Sequence, residues 1–386
     1  MRRTSIPPKI VHLTSAHPAL DSRIYYKEIR SLSKAGYRMV LIAPSHPAEP
    51  DRADGVEIRR FPRPRGRLRR FLISAIRIFP LAVAERGDLY HFHDPELIPL
   101  GLLLKLLGRR VVYDVHEYYA LSLRSRTWLP RGLRTLLAGF SSFMESLIAR
   151  FFDGVAVVSP VIAEKFCASK TVLVQNFAID GEFDAAFPIP YPKRPAVIFF
   201  MGVLSAARGI REMVNALEFL PDSSRAILRI AGKIGGRNLA EEVSRRPGWR
   251  RVEFLGPKKR QEITALVGEA RVGLLLYHPV PGHLLAQPHK LFEYMSASLP
   301  IVASDIPLWR RIITASGCGL LVDPFDPKAV AEAIQWLLDH PREAEAMGLR
   351  GREAMRRDYN WDHEAAKLIE FYRRLLPEPI ALKPPD

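Results

Sequence analysis

The stretch QPHKLFEYMSASLPIVASD, residues 287–305, combines a loop, a helical segment and a continuous apolar run. The run LPIVASD, residues 299–305, is typical of a strand buried on both faces of a parallel sheet. Lys290 stands where the helix is predicted to begin, and Glu293 lies one turn further along, among apolar residues that argue against a solvated position for its carboxylate. The stretch therefore predicts an α/β fold with a cation and a carboxylate close to a strand end.

The same alternation of apolar strands and helical patterns continues along the chain on both sides. Strand-like runs occur at 9–15, 37–45, 89–94, 110–117 and 154–159, and again at 196–202, 226–232, 252–256, 272–277, 299–305 and 319–324. Strands and helices in series predict right-handed crossovers and two doubly wound parallel-sheet domains. The predicted boundaries are a first domain at 1–182, a Pro-rich linker at 183–195, a second domain at 196–355 and a C-terminal helix with a disordered tail at 356–386.

The composition is typical of a soluble globular protein, with 48% apolar and 25% charged residues. The net charge of +16 suggests an anionic partner, which could be nucleic acid, an anionic membrane or a phosphorylated ligand. The two cysteines, Cys167 and Cys318, are far apart and lack metal-binding spacing, which favours a reducing cytosol. We find neither a signal-peptide pattern nor an apolar run of spanning length, so a cytoplasmic location is expected.

Polar side chains cluster after three strands of the first domain, where ligands bind in doubly wound sheets. Each of these strand ends offers a histidine together with acidic residues, a pairing suited to proton transfer and hydroxyl binding. Two alternative interpretations are that these residues serve as caps and turns, or that His93, Asp94, His116 and Glu117 bind a metal ion. The candidates are Asp21 and Arg23 beside His17 after the first strand, His93 and Asp94 after the third, and His116 and Glu117 after the fourth.

Cations also stand at two strand ends of the second domain. Gly202 allows the chain to turn, and Arg208 lies close to the start of the following helix. Together with Lys290, Arg208 could bind a diphosphate at two helix N-termini, and Glu293 could accept two sugar hydroxyls. A surface arginine and an ordinary helix residue are the alternatives.

These motifs together resemble the group 1 (family 4) nucleotide-sugar glycosyltransferases. The family order and spacing are followed by HFHDPELIPLG (91–101), VVYDVHE (111–117), GVLSAARGIREMVNAL (202–217), PHKLFEYMSASLPIVASD (288–305) and GCGLLVDPFDPKAVAEAIQWLL (317–338). The resemblance implies the GT-B fold, with two Rossmann-like domains facing across a cleft. It also implies that the first is the acceptor-side domain, that the second binds the nucleotide-sugar, and that the C-terminal helix crosses back to the first.

The resemblance also implies roles for single residues. Arg208 matches a basic residue on the donor diphosphate, Glu293 a ribose-binding glutamate, and His116 a histidine beside the transferred hexose. Asp21 falls in the loop where acceptor and reaction centre meet, whereas Lys290, His93, Asp94 and Glu117 match a subgroup pattern. Two positions depart from the family: Leu285 replaces the first glutamate of its paired motif, and Val203 replaces an arginine.

The implied function is transfer of a hexose-type sugar from a UDP- or GDP-sugar, with retention of configuration and without a metal or other cofactor. The expected acceptor is a glycan or a lipid-linked molecule of cell-envelope polysaccharide biosynthesis. A nucleotide-sugar epimerase or hydrolase of the same fold is the alternative. A basic nucleic-acid-binding protein is a more remote one, since no recognition motif or interleaved aromatics accompany the charge.

The segment 59–79, RRFPRPRGRLRRFLISAIRIF, carries eight arginines and a helical apolar stripe. Arg69, Arg70 and Arg77 fall off that stripe, a pattern suited to a helix lying on anionic lipid at the inner face of the cell membrane. The alternative is a domain helix with its stripe against the sheet.

Overall fold

The computed structural model describes residues 7–46, 50–63, 66–118, 130–184 and 189–377, with no account of the side chains of 67–72 and 131. The chain forms two compact units. The first comprises the residues up to Asn176 together with those from Trp361 onward, and the second comprises Phe177–Asn360.

The first unit contains a sheet of eight strands in the order β3-β4-β2-β1-β5-β6-β7-β8. All neighbours pair in parallel except β3 and β4, which are antiparallel. Because β1, β5 and β6 are adjacent, their carboxyl ends meet at one edge. The strands are β1 Lys9–Leu13, β2 Arg38–Pro44, β3 Arg52–Ala53, β4 Val56–Phe61, β5 Leu89–Phe92, β6 Arg110–Val115, β7 Gly154–Val157 and β8 Thr171–Leu173.

Helices cover both faces of this sheet, as crossovers between parallel strands require. The first begins as a π-helix, Ile24–Ile29, and continues as the α-helix Arg30–Lys34, with Gly36 at a positive φ of 94° behind it. A π-helical turn is a rare feature that often marks a functional region. The other helices are Arg67–Glu85, Ile98–Leu106, Arg131–Ala149, Pro160–Ala163 and Trp361–Leu375.

The second unit has a fully parallel six-stranded sheet in the order β11-β10-β9-β12-β13-β14. Its core contains Phe199, Phe200 and Trp309, all fully buried. The strands are β9 Val197–Leu204, β10 Ile227–Ile234, β11 Val252–Phe254, β12 Val272–Leu275, β13 Ile301–Ser304 and β14 Gly319–Val322. The helices are Ile210–Ala216, Arg237–Ser244, Arg260–Glu269, Pro281–Leu284, His289–Ser296, Pro307–Ser316, Pro327–Asp339 and Pro341–Asp358.

The structure differs from the sequence-based expectation in the linker and in three short strands. The chain passes from the first unit to the second after Asn176, and Phe183 and Tyr191 from the expected linker at 183–195 are buried in the second unit. Apolar burial therefore makes the ends of that segment part of a domain; residues 185–188 lie outside the description. The sequence did not predict β3, β4 or β8, because these strands near the sheet edges are short or rich in charge.

The segment 59–79 spans the end of β4 and the start of the helix Arg67–Glu85. Ile78 and Ala82 on this helix are buried in the core of the first unit, whereas Ile76 is 71% exposed. The Arg77 guanidinium donates to the Pro62 carbonyl at 2.7 Å, and the side chains of Arg69 and Arg70 lie outside the described residues. Over the described parts of the chain, no helix is long and apolar enough to span a bilayer.

Candidate functional site

The loops that follow β1 and β5 are joined by a carboxylate. Asp94 Oδ2 accepts hydrogen bonds from Thr14 Oγ1 at 2.8 Å and from the Ser15 amide at 2.7 Å. Ser15 Oγ donates in turn to Glu96 Oε1 at 2.9 Å. Asp94 is buried, with 4% of its surface exposed, so its charge depends on these donors. This predicted site residue therefore fixes the shape of the loop after β1.

Asp21 accepts hydrogen bonds from the backbone at the start of the π-helical segment and faces a histidine. Its Oδ1 accepts from the amides of Arg23 at 2.8 Å and Ile24 at 3.0 Å. His17 lies between two acids, with Nδ1 3.6 Å from Asp21 Oδ2 and Nε2 3.4 Å from Asp94 Oδ1. Burial disfavours the charged form of both side chains, but the attraction between them has the larger effect. It raises the pKa of His17 and, together with the two amide hydrogen bonds, lowers the pKa of Asp21.

We expect replacement of His17 by Asn to destabilise the protein more at pH 5 than at pH 8.5. Because folding lowers the pKa of Asp21, the stabilisation from this carboxylate is present above the pKa that Asp21 has in the unfolded chain. Because folding raises the pKa of His17, the stabilisation from this imidazolium is complete only below the pKa that His17 has in the unfolded chain. The pair is therefore fully formed between about pH 4 and pH 6.5 and is lost as the pH rises through the pKa of folded His17. Urea unfolding at both pH values measures the difference.

The control for this measurement is His340→Asn, which changes an exposed histidine of the second unit. A His17→Asn penalty that is the same at pH 5 and pH 8.5 would contradict the ion pair.

A buried aspartate in β6 holds the two histidines at the carboxyl ends of β5 and β6. Asp114 Oδ2 lies 2.8 Å from His116 Nε2 and 3.1 Å from His93 Nδ1. Arg23, followed by His116, keeps the pKa of Asp114 well below its usual value although burial opposes this. Because an ionised carboxylate only accepts, both histidines donate to it, which fixes the orientation of the partly exposed His116 ring.

Arg23 is a positioning residue in this structure and does not form part of the exposed surface of the site. It is 3% exposed, and its Nη2 lies 3.3 Å from Asp114 Oδ1 while Nη1 donates to the Val174 carbonyl at 3.0 Å. Its Nε lies 2.9 Å from Glu28 Oε1. The sequence suggested contact with the reaction centre; burial instead makes Arg23 the counter-charge of Asp114.

Three histidines stack beneath this edge of the sheet. His12 and His91 are opposite residues on β1 and β5, and His93 follows two positions later on the same face. Since His93 Nδ1 donates to Asp114, its Nε2 accepts from His12 Nδ1 at 2.8 Å. Burial is the main cause that lowers the pKa values of all three histidines, that of His93 to about 4. The row is therefore neutral, and Tyr372 of the C-terminal helix bonds His91 Nδ1.

Two groups of these residues have a spacing that could hold a metal ion. His12, Glu28, His91 and His93 each offer one ligand atom within 4.8 Å of the others, and so do His93, Asp114 and His116. Neutral imidazoles with a carboxylate suit zinc or another transition metal. The first group is fully internal, whereas the second includes the partly exposed His116.

In the second unit, Lys290 lies directly over β9. A Cβ atom on Gly202, which has a φ of 102°, would lie 2.8 Å from Lys290 Cε and 3.0 Å from Nζ. The missing side chain thus makes room for the ammonium group. Lys290 is only 4% exposed and is the second residue of the helix His289–Ser296.

Arg208 reaches the residue next to Gly202. Its Nη1 donates to the Val203 carbonyl at 2.8 Å, and its guanidinium lies 5.6 Å from the centre of the Tyr277 ring. Gly209 follows with a φ of 75°, and a Cβ there would lie 1.8 Å from the Leu276 carbonyl oxygen. The turn that presents Arg208 therefore requires glycine, and the two cations lie beside the consecutive residues Gly202 and Val203 of β9.

Glu293 is buried in a carboxylate–guanidinium chain that the sequence did not reveal. Its Oε1 lies 2.5 Å from Arg260 Nη1, and Arg260 also makes two bonds of 2.6 and 2.7 Å to Glu182. Burial favours neutral Arg260, yet Glu293 and Glu182 raise its pKa above the ordinary value. His289 Nε2 lies 3.8 Å from Glu293 Oε2. Glu293 is therefore a carboxylate held in one orientation.

Leu285 places an apolar side chain where the family motif carries its first glutamate. It ends the short helix Pro281–Leu284, and the next residue is anchored by a 2.9 Å bond from Trp309 Nε1 to the Ala286 carbonyl. The nearby His278 pairs with Glu212 at 3.1 Å. The loop is thus ordered by contacts that do not involve the Leu285 side chain.

The structure brings together most of the residues predicted for the first domain. Asp21 and Asp94 both pair with His17, and His93 and His116 both bond Asp114. The rings of His17 and His116 lie 5.3 Å apart and join the two sets. Glu117 is exposed and makes no side-chain hydrogen bond or ion pair with them in the described parts of the chain. Sequence reasoning missed His12, Glu28, His91, Asp114, Arg260 and Tyr372. A charged residue inside the apolar run VVYDV was the available signal for Asp114; distant elements supply the others.

Two family descriptions match this chain. The group 1 glycosyl transferases match residues 183–354, and the glycosyl transferase 4-like domain matches residues 25–172. A D-rhamnosyltransferase, WbpZ of Pseudomonas aeruginosa, is 28% identical over 300 residues, which are 74% of this chain and 72% of that protein. A D-inositol 3-phosphate glycosyltransferase of Corynebacterium urealyticum is 28% identical over 57% of this chain and 51% of its own.

Solved structures share the fold over almost the whole chain. The sucrose-phosphate synthase of Thermosynechococcus elongatus has a TM-score of 0.72 at 20% identity, covering 95% of this chain and 99% of its own. HepE of Anabaena, solved with UDP and glucose, has a TM-score of 0.73 at 15% identity, covering 95% of this chain and all of its own. The chain belongs to the group 1 glycosyltransferases and has the GT-B fold.

Proposed function

We propose that the protein transfers a hexose-type sugar from a UDP- or GDP-sugar, with retention of configuration, to a glycan or lipid-linked acceptor. One observation carries the proposal: Lys290 occupies the space left by the missing side chain of Gly202, Arg208 bonds the Val203 carbonyl next to it, and the second unit also holds the oriented carboxylate of Glu293. Cations beside a strand end suit a diphosphate, and an oriented carboxylate suits a ribose diol. The HepE structure with UDP and glucose supports a donor of this class.

The leaving group in this reaction is a nucleoside diphosphate, which gains negative charge as the glycosidic bond breaks. Fixed cations aimed at that charge stabilise the transition state more than the ground state. Lys290 and Arg208 would serve this role, so that no metal is needed to neutralise the diphosphate. In the first unit, His116 would contact the transferred sugar, and Asp21 would lie beside the acceptor hydroxyl that attacks from the face of the departing diphosphate.

A screen of nucleotide-sugars by thermal unfolding tests the donor site. We expect a UDP- or GDP-sugar to raise the melting temperature, because a ligand at 100 times its dissociation constant stabilises the folded state by about 2.7 kcal/mol. The shift should be the same in EDTA and in magnesium, since the protein's own cations hold the diphosphate. A shift that requires magnesium would contradict the metal-independent site.

Turnover of the identified donor then separates transfer from its alternative. An epimerase or hydrolase would convert the nucleotide-sugar at its full rate without an acceptor, whereas a transferase requires one. NMR of the anomeric proton in the glycan product reports whether configuration is retained.

The acceptor is proposed to belong to cell-envelope polysaccharide assembly at the inner face of the cell membrane. The similarity to a D-rhamnosyltransferase supports a hexose-type sugar as the transferred group. The high positive charge suits an anionic surface, as does the helix Arg67–Glu85, which carries Arg69, Arg70 and Arg77 and exposes Ile76.

A further inference from the structure

The helix Arg131–Ala149 of the first unit directs its large apolar side chains outward. They recur at intervals of three or four residues, which places them on one face. That face consists of Leu133, Leu136, Leu137, Phe140, Phe143 and Leu147, which are 43, 69, 38, 62, 64 and 37% exposed. Phe151, directly after the helix, is 64% exposed. We call these seven residues the outward stripe.

The opposite face of the helix attaches it to the domain mainly through small and polar side chains, together with the partly buried Ile148. Ala138 and Ala149 are buried there, 11 residues apart. Glu145 is also buried and accepts hydrogen bonds from Tyr113 Oη and Lys165 Nζ, both at 2.7 Å. The helix therefore has the opposite orientation to an ordinary surface helix, which turns its apolar face to the core and its polar face to solvent. The outward stripe is therefore not explained by packing within the described domain.

A second group of exposed leucines lies on the helix Ile98–Leu106 and the residue after it. Leu103, Leu106 and Leu107 are 46, 84 and 53% exposed. Lys105 Nζ bonds the Asp153 carboxylate at 2.8 Å, which ties the end of this helix to the chain just beyond Phe151. Exposed apolar side chains therefore occur on two elements that are tied together near Phe151, and exposed apolar surface of this kind marks an interaction site.

The charges around the outward stripe are those of a surface that binds anions. From Tyr118 to Met144 the sequence contains four arginines and no aspartate or glutamate. Two of them, Arg131 and Arg134, lie in the first turn of the helix, and Arg150 follows its last residue. A second copy docked on this stripe would bring arginines against arginines. Anionic lipid headgroups instead complement the cations while acyl chains cover the leucines and phenylalanines.

We propose that the helix Arg131–Ala149 lies in the interface of an anionic bilayer, with the outward stripe buried among the acyl chains. This surface is distinct from the arginine-rich segment 59–79, whose helix buries Ile78 and Ala82 in the domain. The inference rests on the proposed function only for the lipid-linked acceptor that such a surface would bring near the first unit. Attachment itself requires no donor.

Sedimentation with vesicles tests the attachment, using the full chain without nucleotide-sugar. Wild type should pellet with vesicles of equal parts phosphatidylglycerol and phosphatidylcholine and bind pure phosphatidylcholine at least about tenfold less tightly. The variant Leu136→Ser/Phe140→Ser/Phe143→Ser should bind the anionic vesicles about tenfold or more less tightly, since it removes the most exposed part of the helical stripe. The control Phe219→Ser/Leu349→Ser, which changes residues 55 and 57% exposed in the second unit, should bind as wild type does.

A second variant, Arg134→Ser/Arg150→Ser, keeps the apolar stripe and should weaken the preference for anionic vesicles and its salt dependence. The proposal is overturned if both variants pellet like wild type. It is also overturned if wild type stays in the supernatant. If light scattering shows that wild type is a dimer and the triple variant is a monomer, the stripe is instead an interface with a second copy of the chain.

The donor shift in melting temperature, measured on the same samples, separates this inference from the proposed function. We expect the triple variant to keep the shift, because its changes lie in the first unit and the donor residues in the second. If wild type binds the vesicles but nucleotide-sugars do not raise its melting temperature, the proposed donor site is rejected and the proposed membrane-docking surface is not.

Discussion

Replacement of Glu293 by glutamine should weaken nucleotide-sugar binding by about 10- to 100-fold, which corresponds to one or two charged hydrogen bonds. Glutamine keeps the shape of the side chain but offers one carbonyl oxygen in place of two carboxylate oxygens. Arg260 keeps its two bonds to Glu182, so the partly exposed guanidinium is not left unpaired. Titration calorimetry with the donor identified by the thermal screen measures the change.

The matched control is Glu182→Gln, which removes the other carboxylate from the same guanidinium. We expect this control to lower stability while changing donor affinity much less, because Glu293 would still be ion-paired with Arg260. Equal losses of affinity in both variants would mean that the guanidinium, and not the Glu293 carboxylate, carries the binding. No loss in either variant would show that the ribose binds elsewhere.

Replacement of His116 by alanine should lower kcat by about 100-fold, the lower end of the range for a side chain that acts directly at the reacting group. Donor affinity should change little, because Lys290, Arg208 and Glu293 belong to the second unit. Asp114 fixes the His116 ring through a 2.8 Å hydrogen bond, so Asp114→Asn should reproduce part of the loss without removing the imidazole.

Steady-state kinetics with saturating donor and acceptor measures this second effect. His340→Ala is a suitable control, since it removes an exposed histidine at the end of a helix in the second unit. A His116→Ala enzyme that keeps kcat but loses acceptor or donor affinity would reassign His116 from the reacting sugar to substrate binding.

The α/β fold could be predicted because buried parallel strands read as continuous apolar runs. The runs at 9–15, 37–45 and 272–277 correspond to β1, β2 and β12 with small differences at their ends. The hairpin of β3 and β4 could not be read in this way, since RADGVEIRRF mixes charged and apolar residues at the sheet edge. Local pattern is informative where both faces of a strand are buried.

The sequence alone determined the fold class, the family and the types of side chain at the strand ends, because these follow from local periodicity and motif order. Only the tertiary structure decided which of these side chains meet. It placed Arg23 behind Asp114, linked Glu293 to Arg260 and Glu182, and turned the apolar side of the helix Arg131–Ala149 outward. Each of these arrangements depends on which residues from distant parts of the chain share a buried volume, and burial decides how a charge must be paired.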